Sequence, residues 1–168
     1  THFGKEKEHP TFLIGRDTRI SGSMLESALA AGICSVGGNV VIAGVIPTPA
    51  VAYLVRQQGF DAGAVISASH NPYPDNGIKF FDSNGYKLPD EVEDELEKYV
   101  RQSADNELAR PTGDGIGKIE FNSNLAHLYA HFVRHTIDTS LEGLTIVYDG
   151  ANGAASSVCL LYTSDAAD

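Results

Sequence analysis

Residues 64–81 read AVISASHNPYPDNGIKFF. The segment 64–66 is short and apolar, as a buried strand is, and 78–81 makes a second such run. Between them stand Ser67, Ser69, His70, Asn71, Asp75 and Asn76, with Lys79 near the start of the second run. Asn71-Pro72, Pro74-Asp75 and Asn76-Gly77 are turn dipeptides, so a loop without chemistry would read much the same. A serine hydrolase has less support. No G-x-S-x-G elbow is present, and the side chains of adjacent Ser69 and His70 would diverge on an extended backbone. What the stretch predicts is a group of polar side chains at the mouth of a sheet.

Upstream, strands and helices alternate. TFLIG (11–15) reads as a strand, and RDTRISG (16–22) as a polar loop closing on Gly22. Ser23 and Glu26 have the spacing of a capping box, and Leu25, Ala28, Leu29, Gly32, Ile33 and Val36 mark one helical face that stops at Gly37 and Gly38. NVVIAG (39–44) is the next strand. Thr48 followed by Pro49 predicts a short helix over Val51, Leu54 and Val55 that ends at Gly59. DAGAVIS (61–67) is a third strand. Then IKFF (78–81) and YKL (86–88) flank DSNG, a hairpin turn that interrupts the alternation. Asp90 caps an acidic helix with Val92, Leu96, Tyr99 and Val100 on one side.

SADNELARPTGDGIG (103–117) is polar, carries Pro and Gly and lacks periodicity, as a linker does. We place a first unit at 1–118 and the start of a second at 119–158. In the second, Leu125, Leu128, Tyr129, Phe132 and Val133 predict a helix, and LTIVYDGANGAASS (144–157) a strand entering the glycine turn of a new βα unit. CLLYTSDAAD (159–168) has no apolar face and reads as a non-native tail, so the second unit is expected to be truncated. The expected fold class is α/β: a three-layer α/β/α mixed sheet followed by the truncated start of a second α/β domain.

Twelve Lys and Arg against 22 Asp and Glu give a net charge of -10, with no cationic cluster of the kind a nucleic acid backbone requires. Nucleic acid is therefore not an expected partner, and a small anionic ligand would have to be held locally. Cys34 and Cys159 lack metal-type spacing and fit a reducing cytoplasm. The apolar run 40–55 is broken by Pro47 and Pro49 and falls short of the roughly 20 residues of a membrane span. No membrane association or signal peptide is expected. Nothing in the pattern specifies an oligomeric state.

In a sheet of this kind, ligands gather at the carboxyl ends of the strands. Loops 16–22, 45–49 and 67–77 each follow a strand, which brings Arg16, Asp17, Arg19, Ser69, His70 and Asn71 within reach of a common ligand. Taken together, IGRDTRISG, PTPAVAYL, SASHNP and NGIKFF, in this order and spacing, resemble the first domain of the α-D-phosphohexomutases over residues 11–158. The resemblance implies an enzyme acting on a small hexosamine phosphate through a phosphoserine and an intermediate of the glucosamine 1,6-bisphosphate type, with Mg²⁺ as cofactor. It implies that Ser69, directly before the histidine, carries the phosphoryl group and lends a phosphate oxygen to the metal.

The residue chemistry agrees with that role. A serine hydroxyl is a weak nucleophile that needs an acid/base partner, and the charge spread during transfer needs cations. Lys79 is the candidate for proton exchange, with a pKa expected to fall if it is buried near other cations. His70 and Asn71 are candidates for orienting the loop or binding phosphate or sugar oxygens. Arg16 and Arg19, with Asp17 fixing one arginine, would keep the surroundings of Lys79 electropositive or touch phosphate. The family's aspartate-rich metal loop and its sugar and phosphate loops have no counterpart here, since no D-x-D-x-D occurs and THFGKEKEHP (1–10) does not match the family's opening strand. The chain alone is expected to be inactive. Phosphomannomutase/phosphoglucomutase and a noncatalytic phosphate-binding module are the alternative readings.

His127, His131 and His135 recur at i, i+4 and i+8, a spacing that can ligate zinc, but a solvated helix face explains them without a third ligand type. DGANG (149–153) could cradle phosphate, although a strand-to-helix turn needs the same glycine.

Overall fold

The computed structural model describes residues 7–101, 110–140 and 142–164. Strands β1 (Thr11–Arg16), β2 (Asn39–Val45), β3 (Ala62–Ile66), β4 (Ile78–Asp82) and β5 (Ile119–Phe121) form one sheet in the order β4-β3-β1-β2-β5. β1 runs parallel to β2 and β3, β2 runs parallel to β5, and β4 is antiparallel to β3. Helices α1 (Gly22–Ser35), α2 (Thr48–Gln58), α3 (Asp90–Arg101), α4 (Asn124–Arg134) and α5 (Ser156–Ser164) complete the chain. The expected mixed α/β/α sheet is present.

Side-chain alternation along the central strands divides the core in two. Leu13, Val41, Ala43, Val65 and Phe81 face one way, against Ala50, Val51, Leu54 and Val55 of α2 and Leu125 of α4. Ile14, Val40, Ile42 and Ile66 face the other way, against Ala30 and Cys34 of α1. Leu13, Ile14, Leu54 and Val65 are fully buried, each worth about 1.5–3 kcal/mol of transfer free energy. Gly63 lets α2 sit close to the sheet, since a Cβ there would lie 2.4 Å from Val55 Cγ2. Gly59 ends α2 with φ 71°, as a left-handed helix terminus requires.

Four expectations meet a different arrangement. The capping box does not form: α1 begins at Gly22 with Ser21 at the N-cap, Ser23 lies inside the helix, and Glu26 turns to Arg16. Leu25, Leu29 and Ile33 pack inward as expected, but Ala30 and Cys34 complete that face while Ala28, Gly32 and Val36 are exposed. Residues 144–150 form no strand and Val147 is 94% exposed, since they pair with neither of the edge strands β4 and β5. Finally, residues 119–134, where the sequence suggested a second unit, lie on the first sheet. Val40, Val41 and Ile42 pair with Ile119, Glu120 and Phe121, and Leu125 is buried in the α2 core.

α5 packs on α4 through buried Val158, so the helix runs through the start of the expected tail at 159. Residues 103–109 of the expected linker lie outside the described residues, as do residues 1–6, 102, 141 and 165–168.

Candidate functional site

Three loops leave the parallel strands at one edge of the sheet and are tied together there. The Asp17 N–H donates to the Ile66 carbonyl at 2.9 Å, and the Ile46 N–H donates to the Arg16 carbonyl at 3.1 Å. A bulge in the β1–β2 register, between Ile14 and Gly15, shifts the pairing just before Arg16 leaves the strand.

Arg19 organises the serine loop. Its Nη1 donates to the carbonyls of Pro72 at 2.7 Å, Tyr73 at 3.1 Å and Asp75 at 3.0 Å. Its Nη2 donates to the carbonyls of Ser69 at 3.1 Å and Asn71 at 2.9 Å. Asp17 fixes the arginine, accepting from its backbone N–H at 3.0 Å and from Nε at 3.1 Å. The guanidinium has five N–H groups, and these contacts use all of them, so Arg19 has no donor left for an anion.

Ser69 is exposed and its φ is 55°, in the left-handed region that residues with a Cβ seldom adopt. Its backbone N–H donates to Oγ of buried Ser67 at 3.1 Å. Gly77 lets the returning chain pass this point, since a Cβ there would lie 2.8 Å from the Ser67 carbonyl oxygen. The Ser67 N–H donates to the Gly77 carbonyl at 2.9 Å and joins the two sides of the loop. Ser21 Oγ also donates to Asn76 Oδ1, which ties the start of α1 to the loop.

Two cavities flank Ser69. One, of about 270 Å³, is lined by Ser67, Ser69, Asn71, Asn76 and Lys79. Lys79 is half-buried and pairs with Val65 across the β3–β4 ladder, which points it to the α2 side of the sheet. The other cavity, of about 350 Å³, is lined by Asp17, Arg19, Ser67, Ser69, Asn71 and Tyr73, and Asn152, Gly153 and Ala154 form its far wall. Thr18 Oγ1 donates to the Asn152 carbonyl across this gap. Ser69, Asn71 and Lys79 are thus brought together. His70 is exposed and lines neither cavity, and neither does Arg16.

Arg16 is engaged elsewhere, donating from Nε to Glu26 Oε2 at 3.4 Å and from Nη1 to the Asp17 carbonyl at 3.4 Å. Burial pushes the Glu26 carboxyl above the usual carboxylate range, and the Arg16 charge and hydrogen bond pull the other way. Glu26 Oε1 is buried with no hydrogen-bond partner among the described residues. His127 and His131 are exposed on α4 and His135 is exposed at its C-cap, with the rings of His131 and His135 4.2 Å apart. No group of three or more His, Cys, Asp or Glu able to hold a metal ion occurs among the described residues.

Residues 1–107 match the family model for phosphoglucomutase/phosphomannomutase, alpha/beta/alpha domain I. The chain belongs to this phosphohexomutase family. Within the family it is 55% identical over 152 residues to a phosphoglucosamine mutase of Ruminiclostridium cellulolyticum, covering 90% of this chain and 34% of that protein. It is 57% identical over 146 residues to one of Desulforamulus reducens, covering 87% and 33%. The chain therefore spans about a third of the length of these relatives. Among solved structures, a phosphoglucomutase/phosphomannomutase family protein of Burkholderia thailandensis superposes with a TM-score of 0.71 at 25% identity, over 92% of this chain and 33% of that one. A putative phosphomannomutase of Thermus thermophilus superposes at 0.63 with 28% identity, over 77% and 28%.

Sequence reasoning gave Thr18 and Ser67 no role of their own and saw Asn152 only as part of the DGANG turn. Thr18 stands inside the quoted IGRDTRISG, and Ser67 is two residues before Ser69, but nothing in their spacing marks a contact with a distant turn or a buried acceptor.

Proposed function

We propose that this chain is part of a phosphohexomutase that interconverts glucosamine 6-phosphate and glucosamine 1-phosphate, with Ser69 as the phosphoryl carrier. The observation that supports the reading is Ser69 itself: an exposed hydroxyl on a left-handed residue at the carboxyl end of β3, sharing a cavity with Lys79. Transfer from phospho-Ser69 breaks the P–Oγ bond and forms a P–O bond to the free hydroxyl of the sugar monophosphate. The attacking hydroxyl loses its proton, and Ser69 Oγ takes one up. We assign Lys79 to exchange a proton with one of these two oxygens. The resulting bisphosphate returns its other phosphoryl group to Ser69 and leaves as the isomeric monophosphate. Asn71 is assigned to bind phosphate or sugar oxygens in the same cavity, and His70 to the rim of the loop.

Mg²⁺ prefers near-octahedral oxygen coordination. A phosphate on Ser69 would give it one oxygen, and the described residues add no carboxylate cluster, so they do not fit a resident Mg²⁺ site. The assignment of Ser69 does not depend on one. We also propose that the first structural unit runs through α4, with the second beginning after it.

The reading is tested with a chimera in which this chain replaces the matching third of the Ruminiclostridium cellulolyticum phosphoglucosamine mutase. The chimera is expected to convert glucosamine 6-phosphate to glucosamine 1-phosphate, and Ser69→Ala to abolish the conversion. A folded chimera without activity, or one that survives Ser69→Ala, would contradict the reading.

A further inference from the structure

We propose that Arg19 is a positioning residue which locks Ser69 in its left-handed conformation and takes no part in binding phosphate. The inference rests on the reading of Ser69 as the phosphoryl carrier. Both peptides flanking Ser69 are pinned: its N–H by Ser67 Oγ at 3.1 Å, and its carbonyl by Arg19 Nη2 at 3.1 Å. Together these fix the backbone on either side of the Ser69 Cα, and so the direction in which Oγ leaves the chain.

A φ of 55° on a residue with a Cβ persists only where the surroundings over-determine it. One side chain supplies most of the side-chain contacts that hold this loop. Arg19 reaches the carbonyls of Ser69, Asn71, Pro72, Tyr73 and Asp75, so the loop folds around a single guanidinium. Its side chain is 11% exposed, and Asp17, 15% exposed, sets its direction. A phosphate ligand would need free N–H groups turned toward solvent, whereas Nη1 and Nη2 are directed at the loop's own backbone and Nε at Asp17. Lysine could not replace it: an ammonium is a point donor with three hydrogens and cannot span carbonyls spread along the loop.

The test uses three variants of the chimera, with circular dichroism and thermal melting to confirm folding. Ser69→Ala establishes the carrier independently. Arg19→Lys is expected to lower kcat by roughly 10- to 100-fold, the scale of a misplaced reacting group, and to leave KM for glucosamine 6-phosphate within about twofold. Asp17→Asn, which leaves the guanidinium in place but loosens its direction, should lower kcat less, again with KM unchanged. A rise in KM at unchanged kcat in Arg19→Lys would make Arg19 a phosphate ligand and overturn the proposal. Unchanged kinetics would overturn it too. Either result leaves the assignment of Ser69 standing if Ser69→Ala is inactive, and activity in Ser69→Ala sinks that assignment separately.

Discussion

The Asp17 carboxylate holds Arg19 twice, through its backbone N–H at 3.0 Å and its Nε at 3.1 Å. The two contacts make a rigid corner immediately after β1, and the serine loop hangs from the far side of that corner. The pair is largely shielded from water, so removing one member leaves a shielded cation without its partner. Asp17→Ala is expected to cost about 1–3 kcal/mol, as for a shielded polar group that loses its hydrogen bonds. Arg56→Ala, at an exposed position on α2, should stay within about 0.5 kcal/mol of the parent. Urea unfolding of the two variants gives the comparison, and equal losses would show that the corner adds nothing to stability.

Lys79 shares the smaller cavity with Ser69, and no ion pair holds it among the described residues. If it exchanges protons during transfer, Lys79→Met in the chimera lowers turnover by roughly 10²- to 10⁴-fold, the contribution general acid/base groups make. Steady-state kinetics on the folded variant decide the matter. A loss below about tenfold would reduce Lys79 to a local positive charge.

Glu26 gives a pH signature. Burial raises its carboxyl pKa in the folded chain, so the folded state holds that proton more tightly than the unfolded state does. The favourable contribution is complete below the unfolded value of about 4.3 and is lost as pH rises through the raised folded value. Glu26→Gln cannot titrate. Its stability relative to the parent should therefore rise across that window, read from urea midpoints between pH 4 and pH 7. A constant difference would mean that Glu26 has the same proton affinity in both states.

Much of the fold was legible because its signals are local. The apolar runs of β1, β2 and β3, the Pro49 to Gly59 span of α2 and the DSNG turn all stand where the pattern put them. The failures trace to partners remote in sequence. Ser23 and Glu26 have capping-box spacing, yet Arg16, ten residues earlier, takes the carboxylate. Residues 144–150 look like a strand, but strand propensity without a neighbouring edge makes no ladder. β5 is three exposed residues, too short to announce itself, and only its pairing with β2 places it in the first sheet.

The site divides in the same way. Ser69, Asn71 and Lys79 were singled out from their motif, and they line one cavity. Adjacent Ser69 and His70 side chains diverge on an extended backbone, whereas Ser69 is left-handed. That Asp17 fixes an arginine was legible, but the contacts of Arg19 to the serine loop were not, because they go to backbone carbonyls 50 or more residues away, and a carbonyl carries no sequence signature.

The central claim is that Ser69, and not buried Ser67 beside it, carries the phosphoryl group. The most direct measurement is phosphopeptide mapping of the chimera after incubation with glucosamine 1,6-bisphosphate. The account predicts phosphate on Ser69 alone, in a peptide from which it can be discharged by adding glucosamine 6-phosphate. Phosphate on Ser67, or a Ser69 phosphate that the sugar phosphate cannot remove, would contradict it.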